Sequence, residues 1–375
     1  MANSGGQYRF TWLDCETALA GGDGDLKCHN AKTLNGIFLE AILPVIKPYT
    51  SRLPRRQAST YWGVGLGALP ARFRRARLLI VGCGDVGQRV AKIIQAKTQS
   101  LRVLALTTSS DRVLPLRRMG VVPLLGNLDC KADLHRLAGL ATHVLHLAPP
   151  PTEGWSDPRT MALVQALRMR TSPSVLVYGS TSGVYGDLAG RFAVETQATQ
   201  ARTPRAIRRV SAENTVRFLG RNLGAQHTRT TILRIPGIYA PDREGGTPKA
   251  RLLKGTPVLQ KQDDVYTNHI HADDLARACL AALWRGKPQR IYNVSDDTGM
   301  KMGDYFDFAA DLYGLPRPPR IPRSTAHEQL PLMLLSFMSE SRQIDTTRMK
   351  KELRLKLRYP TVKTGLLASV QPQMF

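Results

Sequence analysis

From Ala76 onward the sequence falls into short, nearly continuous apolar runs separated by stretches with a helical period. The runs are Arg77–Val81, Arg102–Leu106, Val121–Leu125, Thr142–Leu147, Ser174–Tyr178 and Thr230–Ile235. A strand that is apolar along its whole length has both faces covered, as in a parallel sheet between two layers of helices. Between the first two runs, Val86, Val90, Ile93 and Ile94 return on one helical face. Leu275, Cys279, Ala282 and Leu283 repeat that spacing, with Asp273 and Asp274 at the dipole-positive start of the same helix. Strands alternating with helices predict an α/β fold with a doubly wound parallel sheet. Loops rich in Pro and Gly after Ile235 predict a smaller C-terminal lobe built around the strand ends.

Residues 1–76 break the pattern. They hold glycine patches (Gly21 to Gly24, Gly63 to Gly67), and an acid-free, Arg-rich stretch runs from Ala41 to Gly84. Apolar periodicity is too sparse there for an independent core, which predicts a poorly ordered extension. The expected organisation is therefore an extension at 1–76, a nucleotide-binding domain at 77–235, a lobe at 236–360 that also returns to the first domain, and a tail at 361–375. Near the end, Leu335 to Arg342 leads into a basic helix expected over Asp345 to Leu353.

Composition narrows the classes. A hydrophobic content of 42% is ordinary for a globular protein, and no apolar run nears the ~20 residues of a membrane span. Met1 to Glu16 has no secretory pattern, and five cysteines without CxxC spacing suit reduced thiols, so a cytoplasmic protein without a metal site is expected. The net charge of +24 favours anionic ligands such as phosphorylated cofactors or nucleotide-linked substrates. A solvated basic surface explains the same number. Nucleic acid is not the expected partner, because the cations are scattered and not interleaved with aromatics.

The segment Leu78-Leu-Ile-Val-Gly82-Cys83-Gly84-Asp85-Val86-Gly87 is an apolar strand, a glycine turn and a helix start. Gly82 suits the tight turn, Gly84 lets a pyrophosphate approach the backbone, and Gly87 brings helix and strand together. Helix N–H groups then meet the phosphate charge. This predicts a Rossmann-type NAD(P) site bordered by Cys83, Asp85 and Val86. The next strand ends at Thr107, where an NAD-preferring site places Asp or Glu. Hydroxyls at Thr107 and Thr108 with Arg112 nearby suit a 2′-phosphate, so NADP is expected before NAD. A plain polar turn is the alternative.

Further motifs follow in order: Gly126-Asn-Leu-Asp129, Leu147-Ala-Pro-Pro150, Ser180-Thr-Ser-Gly-Val-Tyr-Gly186, Leu233-Arg-Ile-Pro-Gly-Ile-Tyr-Ala-Pro241, His269-Ile-His-Ala-Asp-Asp274 and Ile291-Tyr-Asn-Val-Ser295. With the glycine turn, they make residues Arg77 to about Tyr359 resemble the extended short-chain dehydrogenase/reductases, the NAD(P)-dependent epimerase/dehydratase family, and its atypical members in particular. The resemblance implies that Asn127 and Leu128 line the adenine, that Ala148 and Pro149 lie along the cofactor, and that Pro236 and Ile238 lie near the nicotinamide. It also makes Thr181 the counterpart of the family's catalytic Ser/Thr. Alternatively, Ser180, Thr181 and Ser182 form a turn on their own backbone.

One departure matters. The family's Tyr-x-x-x-Lys pair, registered on Glu213, falls on Arg205 and Arg209. An arginine stays charged throughout the working pH range and cannot exchange the proton that the tyrosine would. Arg209 could still anchor a ribose or phosphate. Tyr185, Tyr239 and His271 are the other candidates for the proton donor, on loops at strand ends; packing for the tyrosines and a helix cap or hinge for His271 are the expected roles. Two functions follow. One is an NAD(P)-dependent oxidoreductase or epimerase/dehydratase-like enzyme for a small carbonyl or hydroxyl substrate, nucleotide sugars included. The other is an NADP-binding sensor without turnover. The resemblance also allows a homodimer.

Overall fold

Apolar residues along its length leave β1 (Arg77–Val81) without a polar face, and Leu78, Leu79, Ile80 and Val81 are all fully buried. The computed structural model describes residues 76–368 apart from 99 and 222–226, all within the unit Gly67–Phe375. Except for Ala76, the extension expected at 1–76 lies outside the described residues.

After β1 come α1 (Asp85–Lys97), β2 (Arg102–Thr107), α2 (Val113–Arg118), β3 (Val122–Leu125), α3 (Lys131–Leu134) and β4 (His143–His146). Then follow α4 (Pro158–Arg168), β5 (Val175–Thr181), β6 (Phe192–Ala193), α5 (Pro204–Gly220) and β7 (Arg229–Ile235). The next stretch holds β8 (Gly237–Tyr239), α6 (Lys249–Leu253), β9 (Val258–Leu259), β10 (Tyr266–Thr267), β11 (His269–His271) and α7 (Ala272–Arg285). The remainder is β12 (Arg290–Asn293), β13 (Met300–Lys301), α8 (Met302–Tyr313), β14 (Arg320–Ile321), α9 (Ala326–Gln329), α10 (Leu332–Met338), β15 (Gln343–Ile344), α11 (Thr347–Glu352) and α12 (Val362–Leu367).

Seven strands form one parallel sheet in the order β12-β7-β5-β4-β1-β2-β3. The order reverses at β1, which opens a crevice between the carboxyl ends of β1 and β4. The pleat assigns alternate residues to two layers. Leu78 and Ile80 pack with Val90 and Ile94 of α1 and with Leu275 and Cys279 of α7. Leu79 and Val81 pack with Leu163 and Leu167 of α4 and with Ala212 and Val216 of α5. This is the expected α/β, doubly wound Rossmann-type sheet. A separate core gathers Leu252, Val258, Phe306, Ala310 and Val362, away from the two layers on the sheet. Among the described residues no helix is long and apolar enough to cross a membrane.

Four details differ from the sequence pattern. The fifth strand continues past Tyr178 to Thr181, so the Ser180–Gly186 motif begins inside the sheet. Arg290–Asn293 adds the edge strand β12, which the apolar runs do not mark. The basic helix spans Thr347–Glu352, since the Asp345 carboxylate accepts the Thr347 N–H at 3.0 Å and stops it from starting earlier. The segment from 361 opens with α12, where Thr361 and Thr364 form a capping box and Val362 and Leu366 are buried.

Candidate active site

The glycine turn joins β1 to α1 and leaves space at the helix start. Gly82 has φ +87°, and a Cβ there would lie 2.4 Å from the Ala148 nitrogen, so β1 and the end of β4 approach too closely for any side chain. At Gly87 a Cβ would press on the Gly82 oxygen and Ile80 Cγ2, both 3.2 Å away. Gly84 differs: nothing lies within 4 Å of its Cβ position. It is also the N-cap of α1 and makes no side-chain cap bond. The first turn of α1 therefore presents N–H groups beside open space, the arrangement that receives an anion. Val86 is buried in the core, and burial pushes the Cys83 thiol up to about 11, which keeps it protonated near neutral pH.

Asp85 puts a carboxylate beside this helix start. Arg89 holds it at 3.1 Å and Arg243 at 3.2 Å, and Arg89 also binds Asp242 and Asp273. These contacts offset the negative charge and tie α1, the start of α7 and the 242–243 segment together. The i,i+4 spacing of Asp85 and Arg89 was a local signal, whereas the pairs with Asp242, Asp273 and Arg243 join positions distant along the chain.

At the end of β2, Thr107 Oγ1 accepts the Ser109 N–H at 3.3 Å, which shapes the polar turn. Thr108 is exposed. Arg112 donates to the Cys83 carbonyl at 3.4 Å, so its guanidinium lies against the glycine turn. At β3, the Asp133 carboxylate accepts the Asn127 N–H at 3.0 Å, while Leu128 is buried. Ala148 is fixed by its N–H to the Val81 carbonyl at 3.0 Å; Pro149 beside it is exposed. Pro236 and Ile238, both half-buried, follow β7 at the same edge.

Thr181 ends β5, and its hydroxyl accepts the Gly183 N–H at 3.2 Å. The local turn considered from the sequence is thus present at Thr181. Ser180 does something else: it donates to buried Glu213 at 2.7 Å. A Cβ on Gly183 would stand 3.8 Å from Ala206, so this loop packs on the first turn of α5. Thr203 caps that helix and Pro204 begins it, which fixes where Arg205 and Arg209 emerge.

The two arginines have different surroundings. Arg209 is buried, and one nitrogen donates to the Gly179 carbonyl at 2.8 Å, the Tyr178 hydroxyl at 3.0 Å and the Ala148 carbonyl at 3.4 Å. It clamps the ends of β4 and β5 together beneath the crevice. Arg205 is exposed; partial desolvation and then the charges of Arg209 and Arg208 lower its pKa. Arg208, which sequence reasoning missed, donates to the Gly154 carbonyl at 2.8 Å and anchors the loop after β4. Its spacing on α5 was the available signal, as 205, 208 and 209 share a helical face. Among the described residues none of the three has a carboxylate within ion-pair distance.

The model of the NAD dependent epimerase/dehydratase family matches residues 78–295. The chain belongs to this family. Its fold resembles a functionally unknown conserved protein from Silicibacter pomeroyi, at 28% identity and TM-score 0.65, covering 79% of this chain and 98% of the other. It also resembles the UDP-glucose 4-epimerase of Thermotoga maritima solved with UDP-glucose (20%, TM-score 0.63, 78% and 97%). A third similar structure is the dTDP-glucose 4,6-dehydratase of Streptomyces venezuelae with NAD bound (18%, TM-score 0.64, 78% and 95%). No curated relative matches the sequence.

In this member of the epimerase/dehydratase family the other titratable motif residues are built into the scaffold. The Tyr185 hydroxyl donates to Asn293 at 2.7 Å and its ring lies under the Arg234 guanidinium. The Tyr239 hydroxyl donates to the Thr361 carbonyl at 3.2 Å. His271 is the N-cap of α7, its Nδ1 accepting the Asp273 N–H at 3.2 Å. Arg234 grips Glu213 through two bonds of 3.1 and 2.8 Å, which completes a buried polar chain from Ser180 to Asn293.

Proposed function

We propose that this chain is an NADP-linked oxidoreductase of the epimerase/dehydratase type, acting on a carbonyl or hydroxyl of an anionic substrate such as a nucleotide-linked sugar. The observation that carries the reading is the uncapped start of α1, with open space at Gly84 and Arg112 against the same turn. Backbone N–H groups there would hold the diphosphate, and Arg112 with Thr107 and Thr108 would hold the 2′-phosphate. The bound nicotinamide would accept or give up a hydride at the substrate carbon. Asn127, Leu128, Ala148, Pro149, Pro236 and Ile238 would line its course along the carboxyl edge. The nucleotide sugar in the Thermotoga epimerase structure and the NAD in the Streptomyces dehydratase structure support a nucleotide-linked substrate and a nicotinamide dinucleotide; the choice of NADP rests on Arg112 and the hydroxyls.

Thr181 would hydrogen-bond the substrate oxygen whose charge changes. Arg205, exposed and without an acidic partner, would bind the substrate's anionic group. Arg209 acts as a positioning residue, because its contacts go to the protein itself. With arginine at both positions no side chain there exchanges a proton, so water would carry it. The same substitution favours a second reading, an NADP sensor without turnover.

Titration with NADP and NAD by intrinsic fluorescence, followed by a nucleotide-sugar and carbonyl panel read at the NADPH absorbance, tests both. NADP binding tighter than NAD, with turnover of an anionic substrate, is the expected result. Binding without turnover over the whole panel leaves the sensor, and no binding of either coenzyme removes both.

A further inference from the structure

At the opposite edge of the sheet from the glycine turn, the last turns of α1 and α7 diverge over the residue preceding β2. The segment after α11 closes the gap, leaving a recess of about 620 Å³. That volume is typical of small-molecule sites, which span roughly 300–1,000 Å³. Ile94, Leu101, Ala281 and Leu355 form an apolar floor, and all four are buried. Five cations surround it: Lys97, Arg277, Arg285, Arg354 and Lys356; no acidic side chain lines it. Arg277 is paired with Asp274, whereas the other four have no carboxylate within ion-pair distance among the described residues. Lys97 and Arg285 lie in the last turns of their helices and offset the negative helix ends. Arg354 stands just past the end of α11 in the same way, whereas Lys356 has no such role. Arg354 also holds φ +50°, a conformation better suited to glycine, at the point where the chain leaves α11 and borders the recess.

We propose that this recess binds a small amphiphilic anion, an acyl chain ending in a carboxylate, with the tail on the apolar floor and the head among Arg354, Lys356 and the neighbouring cations. An apolar tail suits the floor, because among its apolar lining residues only Trp284 is well exposed, at 51%. The site is separate from the cofactor crevice and does not depend on the activity proposed there.

Sodium decanoate below its micellar concentration is the probe, titrated into the full chain by calorimetry and by tryptophan fluorescence, with Trp284→Phe assigning the optical signal. Saturable binding of one decanoate per chain is expected, with 1-decanol at least tenfold weaker. Shortening the acid should weaken binding by about fourfold per methylene. The double variant Arg354→Gly, Lys356→Glu should lose at least tenfold in affinity while keeping its melting temperature, which separates a lost site from a lost fold. Absence of saturable binding overturns the proposal, whether the recess stays empty or is filled by other residues of the chain. Equal affinity for decanol, or an unchanged affinity in the stably folded double variant, overturns it as well.

Discussion

Two glycines share the turn between β1 and α1, and they differ in what a methyl group would meet. At Gly82 it would meet the Ala148 backbone at 2.4 Å from a left-handed φ, so Gly82→Ala should destabilise the protein by about 2–4 kcal/mol in denaturant unfolding. At Gly84 it would meet no protein atom. Gly84→Ala should therefore melt within a few degrees of the parent yet bind NADP at least tenfold more weakly, because only the phosphate is displaced. The two variants separate scaffold from cradle by comparing melting with cofactor titration. Arg112→Ala should cost NADP about 10- to 100-fold in affinity and leave NAD nearly unchanged, given what a charge-assisted bond contributes. The sequence made these residues readable because glycine spacing and strand ends are local signals. It did not reveal that the i,i+4 pair Asp85–Arg89 also gathers Asp242 and Asp273, since nothing local joins positions so far apart.

Helix α5 illustrates how far spacing carries at the next level. Registering on Glu213 brought Arg205 and Arg209 to notice, and both emerge beside the Thr181 loop. Their different duties depend on partners from other elements, namely Gly179 and Tyr178 of β5 and Ala148 after β4. Arg209→Met should strand those acceptors beneath the crevice and destabilise the fold by about 1–3 kcal/mol, measured by denaturant unfolding. Arg205→Ala leaves an exposed position empty, so the melting temperature should hold while KM for an anionic substrate rises about tenfold or more. The starts of α1 and α7 are joined through Arg89; burial opposes its charge, but the bonds to Asp242 and Asp273 raise its pKa. The apolar period found both helices, because each buries one continuous stripe. It gave no warning of β12 or α12, which are fixed by long-range pairing with β7 and by packing on the separate core.

Across the whole molecule, buried ionisable groups set the response to pH. Burial pushes the Asp296 carboxyl from 3.8 up to about 7, so between those values the folded protein keeps a proton that the unfolded chain has released. Stability from this group falls as pH rises through that window. Asp296→Asn should leave stability near pH 4 unchanged and raise it by about 1–2 kcal/mol above pH 7, as thermal melts at both values would register. His146 works in the other direction: burial, then Arg209, pushes it down to about 3, and stability is lost as pH drops below 6.5. Neither group was legible in the sequence, because burial is a property of the completed fold. The Glu213–Arg234 ion pair carries a longer consequence. Both side chains are about 1% exposed, and dehydrating two opposite charges costs several kcal/mol that their attraction only partly returns. A tight hydrophobic trio at Ser180, Glu213 and Arg234 would be expected to melt higher, while loosening the strand end that carries Thr181. Heat-resistance selection blind to turnover would therefore erode this stretch early, whereas selection for turnover would keep a costly interior.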